Sequence, residues 1–74
     1  MTLNEVAIGK TVKITKVGGE GQLRLRLLDM GLIPQTMVTI QKVAPMGDPI
    51  EIYLRGYELT IRKEDAARIE VTEG

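Results

Sequence analysis

The chain has 74 residues, ten basic and ten acidic, with neither cysteine nor histidine. That length holds one domain with a limited core. The missing cysteines exclude disulfides and thiolate metal sites, and the missing histidines exclude the usual general base and the commonest metal ligand.

Met1 to Lys10 lacks the charged start and apolar stretch of a secretory leader. No apolar run approaches the ~20 residues of a membrane span. The expectation is therefore a soluble, cytoplasmic protein without membrane insertion. Basic and acidic residues interleave along the chain, without the basic stripe that nucleic-acid binding requires. Gly9-Lys10-Thr11 looks like the end of a phosphate-binding loop, but Asn4 stands where that motif needs its first glycine, and a strand rather than a helix follows.

From Lys10 to Val17, Val12 and Ile14 alternate with Thr11, Lys13 and Thr15, which predicts a strand with one buried face. Gly18-Gly19-Glu20-Gly21 then breaks the pattern; the third glycine of a dinucleotide fingerprint would fall at Arg24, so that motif is absent. Gln22 to Met30 contains strong helix formers and no β-branched residue, and it is followed by Gly31 in a capping position and by Pro34. These features predict a short helix. At ~100° per residue, Leu23, Leu27 and Met30 form one stripe. Leu25, Leu28 and Leu32 form a second stripe on nearly the opposite side. One stripe can cover a core; the other is expected to be an exposed apolar surface, the usual mark of an interaction site.

Beyond the helix, alternation resumes in Thr36–Ala44, Pro49–Leu54, Tyr57–Arg62 and Ile69–Val71. Pro45-Met46-Gly47-Asp48-Pro49 and Arg55-Gly56 are the turns between consecutive runs. Glu64 and Asp65, with Lys63 and Arg62, read as a solvated charged turn. The fold class is thus mainly β: five short strands able to close into a small barrel, with one short helix between the first two long strands.

No spacing of carboxylates suggests a catalytic pair, and no nucleophile–base motif occurs, so no enzyme activity and no bound cofactor are expected. With only Tyr53 and Tyr57 as aromatics, a groove for proline-rich peptides is also unsupported.

Two blocks, Arg26-Leu27-Leu28-Asp29-Met30-Gly31-Leu32-Ile33-Pro34 and Ala44-Pro45-Met46-Gly47-Asp48-Pro49-Ile50, followed by Arg55-Gly56-Tyr57-Glu58-Leu59, make the chain resemble the FeoA family of bacterial ferrous iron transport over nearly its whole length. The resemblance implies an SH3-like fold. It also implies a non-enzymatic, cytoplasmic accessory role, exercised by contact with the FeoB transporter, a membrane protein with a cytoplasmic GTP-binding domain. Gln35 departs from the family pattern, which usually has glycine after Pro34, and this bears on the turn rather than the fold. The partner-binding residues expected on this reading are Leu25, Leu28, Met30 and Leu32 from the helix, Pro45, Met46, Gly47, Asp48 and Pro49 from the loop, and Tyr57. No residue is assigned to a metal. The alternatives are a metal- or ligand-sensing SH3-like module, related to the C-terminal domain of iron-dependent repressors, and weak self-association through the exposed stripe.

Overall fold

In the computed structural model, which describes residues 1–73, the alternating runs form five antiparallel strands: β1 (Thr11–Val17), β2 (Met37–Val43), β3 (Ile50–Leu54), β4 (Tyr57–Ile61) and β5 (Ile69–Glu73). Helix α1 (Gly21–Asp29) lies between β1 and β2, and a four-residue helix α2 (Lys63–Ala66) links β4 to β5. The ladder runs β4-β3-β2-β1-β5. The fold is mainly β and SH3-like, as expected, but among the described residues β4 and β5 do not pair, so the barrel is open along that seam. The chain crosses the seam through α2, whose Ala66 is fully buried. A turn expected to be only charged and solvated therefore contributes to the core.

Alternation translates directly into packing. Ile40 opposes Ile52, which opposes Leu59; Ile50 opposes Ile61; Val12 opposes Val38. These rows face one core with Ile14, Leu54 and Ile69. Two bulges adjust the phase. In β1 the register with β5 shifts between Ile14 and Lys16, so that Thr15 and Lys16 are both exposed and Val17 turns back inward. In β2 a similar shift between Ile40 and Lys42 follows the burial of Ile40.

Two turns fix how the elements meet. Leu54 and Tyr57 are joined by Arg55 and Gly56, at φ 49° and 85°, the two left-handed residues of a type I′ hairpin. The Arg55 guanidinium donates to the hydroxyl of Thr36 at 3.0 Å, which satisfies the one buried polar side chain among the described residues. In Ile33-Pro34-Gln35-Thr36 the Thr36 N–H donates to the Ile33 carbonyl at 3.2 Å, and Gln35 holds φ 77°. Proline followed by a left-handed residue is the pattern of a type II turn. Gln35 therefore keeps the conformation for which glycine is suited.

The N-terminus seals one sheet edge. Leu3, in a 3₁₀ turn over Leu3–Glu5, is fully buried. Thr2 pairs with Glu70, and the Met1 carbonyl accepts the Val71 N–H at 2.8 Å.

Candidate functional site

Helix α1 is placed by its ends. At its C-terminus the Leu32 N–H donates to the Leu27 carbonyl at 3.2 Å and the Gly31 N–H donates to the Leu28 carbonyl at 3.0 Å. With Gly31 at φ 96°, this is a Schellman cap. Such a cap reverses the chain and brings the residue after the glycine back against the last turn. Leu32 therefore lies beside Leu27, and both are fully buried. The expectation that Leu32 belongs to the exposed stripe is corrected: the 100° rotation stops at the cap, and continuing it through Gly31 put Leu32 on the wrong side.

The remaining helix residues sort around Leu27. Leu23, Leu28 and Met30 are half-buried and pack against the core. Leu28 thus sits on the flank of the buried face rather than in the centre of an exposed one. Leu25 alone of the helix leucines is exposed, at 59%. With Gln22, Leu23, Arg26 and Asp29 it lines a shallow groove along the outer face of α1. The surface is a single leucine set among polar groups, narrower than the three-leucine stripe read from the sequence.

The Pro45–Pro49 loop is the second projecting feature. The Gly47 N–H donates to the Ala44 carbonyl at 2.7 Å and the Ala44 N–H to the Pro49 carbonyl at 3.0 Å, which closes the loop on itself. Met46 stands at its tip, 91% exposed. Pro45, Asp48 and Pro49 are exposed and Gly47 is half-buried. Asp48 is also engaged: its Oδ1 accepts the backbone N–H of Lys63 at 2.9 Å, at the start of α2.

Helix α2 joins the two features. Its first residue is held by Asp48 of the loop, and Asp65 accepts from the Arg26 guanidinium of α1 at 3.4 Å. Loop, α2 and α1 therefore form one continuous band on the surface. Sequence reasoning missed Arg26, Lys63 and Asp65 as members of this band. The signal for α2 was available: in Lys63-Glu64-Asp65-Ala66-Ala67 lysine, glutamate and alanine are good helix formers, the acids suit a first turn, and an alanine can be buried.

Tyr57, 41% exposed, is tied to the same band. Its hydroxyl donates to the Met30 carbonyl at 2.6 Å, anchoring the start of β4 to the end of α1. Glu5, whose carboxylate is held below its ordinary titration range, lies outside this region; the Thr2 N–H and then the Thr2 hydroxyl donate to it. Among the described residues no three Asp, Glu, His or Cys side chains converge, and no helix is long and apolar enough to cross a membrane.

Comparison with known proteins agrees with this architecture. Residues 1–73 match the model of the FeoA domain family. The chain is 38% identical over 71 residues to a Porphyromonas gingivalis protein, the Fe(2+) transport protein A/Fe(2+) transporter FeoB fusion protein; the match covers 96% of this chain and 8% of that protein's length. Among solved structures, the FeoA-like protein of Clostridium acetobutylicum superposes with a TM-score of 0.91 at 42% identity, covering 99% of this chain and 85% of the other. The zinc complex of Stenotrophomonas maltophilia FeoA, described as a procaryotic SH3 domain protein, superposes with a TM-score of 0.85 at 21% identity, covering 97% and 89%, and speaks to the fold alone.

Proposed function

The chain belongs to the FeoA family, and we propose that it serves ferrous iron uptake as a non-enzymatic cytoplasmic accessory protein that contacts the cytoplasmic region of a FeoB-type transporter. The observation that carries this reading is the relative in which the two proteins are one polypeptide. Fusion holds two partners at high effective concentration, which is of use when they must meet. An unfused pair needs a surface that achieves the same meeting by affinity.

The band from Leu25 to Met46 supports that role. It offers two exposed apolar side chains, Leu25 and Met46, on scaffolds tied together through Asp48, Lys63, Asp65 and Arg26. A solvated leucine that becomes buried on association contributes ~1.5–3 kcal/mol, or roughly 10- to 150-fold in affinity. Contact with the half-buried flank, Leu28 and Met30, and with the ring of Tyr57 would extend the patch around the end of α1.

The test is an NMR titration of the chain with the transporter's cytoplasmic region. Shifts should concentrate on Gln22 to Asp29 and on Pro45 to Pro49. Leu25→Glu should leave the amide spectrum dispersed and remove those shifts. Binding that survives Leu25→Glu and Met46→Glu together would refute the surface, and no binding by the native chain would refute the direct contact.

A further inference from the structure

The open seam leaves the sheet with two edges, and they are treated differently. The β5 edge is covered by Met1 and Thr2. The β4 edge has no strand beside it among the described residues; side chains of Arg26 and Met30 from α1 and Asp65 from α2 line a cleft next to Thr60 and Arg62. In a two-residue hairpin the closing pair, here Leu54 and Tyr57, is hydrogen-bonded, so Leu59 and Ile61 also direct their backbone groups toward β3. Glu58 and Thr60 direct theirs outward, and neither has a backbone partner there among the described residues. The Arg62 N–H continues the row; the Arg62 carbonyl is already taken by the N–H groups of Asp65 and Ala66. All three residues are exposed.

We propose that this edge pairs with the same edge of a second copy, antiparallel and with Thr60 opposite Thr60, to give a symmetric dimer through a continuous sheet. A charged edge strand ordinarily keeps copies apart. Here the two charges have opposite sign and lie symmetrically about Thr60. A two-fold axis through Thr60 therefore sets Glu58 of each copy against Arg62 of the other, and opposite charges across a strand pair are stabilising.

Other registers are worse. Pairing Glu58 with its own copy puts like charges together, and centring on Ile61 sets Glu58 against Glu64. Centring on Leu59 sets Arg62 against Gly56, with no charge across the axis and only the long, exposed 3.8 Å contact to its own Glu64. The chosen register also matches on the core side, where half-buried Leu59 opposes Ile61 of the other copy and gains cover. The Thr60 hydroxyls can bond across the axis as Thr11 and Thr39 already do across β1 and β2, at 2.7 Å. An edge-to-edge contact buries less than the ~800 Å² per partner of a standard interface, so the dimer belongs to the weak class, with Kd of about 0.1–1 mM.

Sedimentation equilibrium from about 20 µM to about 1 mM spans that range. Dimer should accumulate at the upper end, and exchange of the Thr60 and Arg62 amides should slow with concentration. Glu58→Arg and Arg62→Glu, each alone, should abolish the association; together they exchange the charges and should restore it. A chain that stays monomeric throughout overturns the proposal. So does dimerisation insensitive to either single change, failure of the double change to restore it, or protection that maps to α1 instead of β4. Circular dichroism of each variant verifies that loss of dimer is not loss of fold.

Discussion

Gln35 shows how a residue can keep a conformation that its chemistry does not favour. Its φ of 77° belongs to the left-handed region, where an L side chain costs roughly 1–2 kcal/mol. The turn holds because both neighbours are fixed: Pro34 presets the preceding dihedral, and the Gln35 N–H donates to the Ile14 carbonyl at 2.8 Å. Gln35→Gly removes the steric cost but adds about 0.5–1 kcal/mol of unfolded-state freedom. The net expectation is stabilisation by about 0.5–1 kcal/mol, read as a higher urea midpoint at unchanged slope. Pro34 and the departure from glycine are visible in the sequence. That the turn keeps its shape is not, because it depends on the Ile14 carbonyl, which lies across the fold.

At the scale of elements, the strands were legible almost to the residue, since period-two alternation is a local property of chains with one wet face. The bulges at Thr15 and Gln41 were not legible, because they reflect which partner residue each strand must meet. Helix α1 was legible through its formers and its cap, yet its exposed face was misread at the cap itself. Gly31 is where that error and the structure both turn. Its left-handed backbone closes the Schellman motif, and a Cβ there would collide with the Tyr57 hydroxyl. Gly31→Ala therefore incurs the left-handed penalty of ~1–2 kcal/mol and displaces a hydrogen bond worth about 1 kcal/mol. A loss of about 2–3 kcal/mol in chemical denaturation is expected. If Gly31→Ala is restored by adding Tyr57→Phe, which deletes the clashing oxygen, the loss is steric; if not, the backbone penalty dominates. The Arg26–Asp65 pair, by contrast, has an exposed guanidinium and a long 3.4 Å contact, and contributes at most a few tenths of a kcal/mol. Its importance lies in where it puts α2, not in how tightly it holds it.

The whole molecule has little stability to spare, roughly 4–8 kcal/mol for a chain of this size. That narrow margin separates residues that maintain the fold from residues free to bind. Leu27 and Leu25 are two positions apart on one helix, one fully buried and the other 59% exposed. Leu27→Ala opens a cavity beneath α1 and should cost about 2–5 kcal/mol, enough to leave a measurable unfolded fraction at room temperature. Leu25→Ala removes a side chain already in water and should change stability by less than about 0.5 kcal/mol. Urea melts of the two variants give the first comparison, and titration with the transporter's cytoplasmic region gives the second. In that titration Leu25→Ala should weaken binding at unchanged stability, whereas Leu27→Ala should weaken it only in proportion to the unfolded fraction. If the two variants instead lose affinity in step with their stability, the outer face of α1 is a scaffold surface and the contact lies elsewhere on the band, with Met46 as its exposed apolar centre. The sequence already named α1 and the Pro45–Pro49 loop as the features that project. Which leucine is left exposed depends on the reversal at Gly31, and that is decided by the packing of Leu32 onto Leu27, a contact no periodicity encodes.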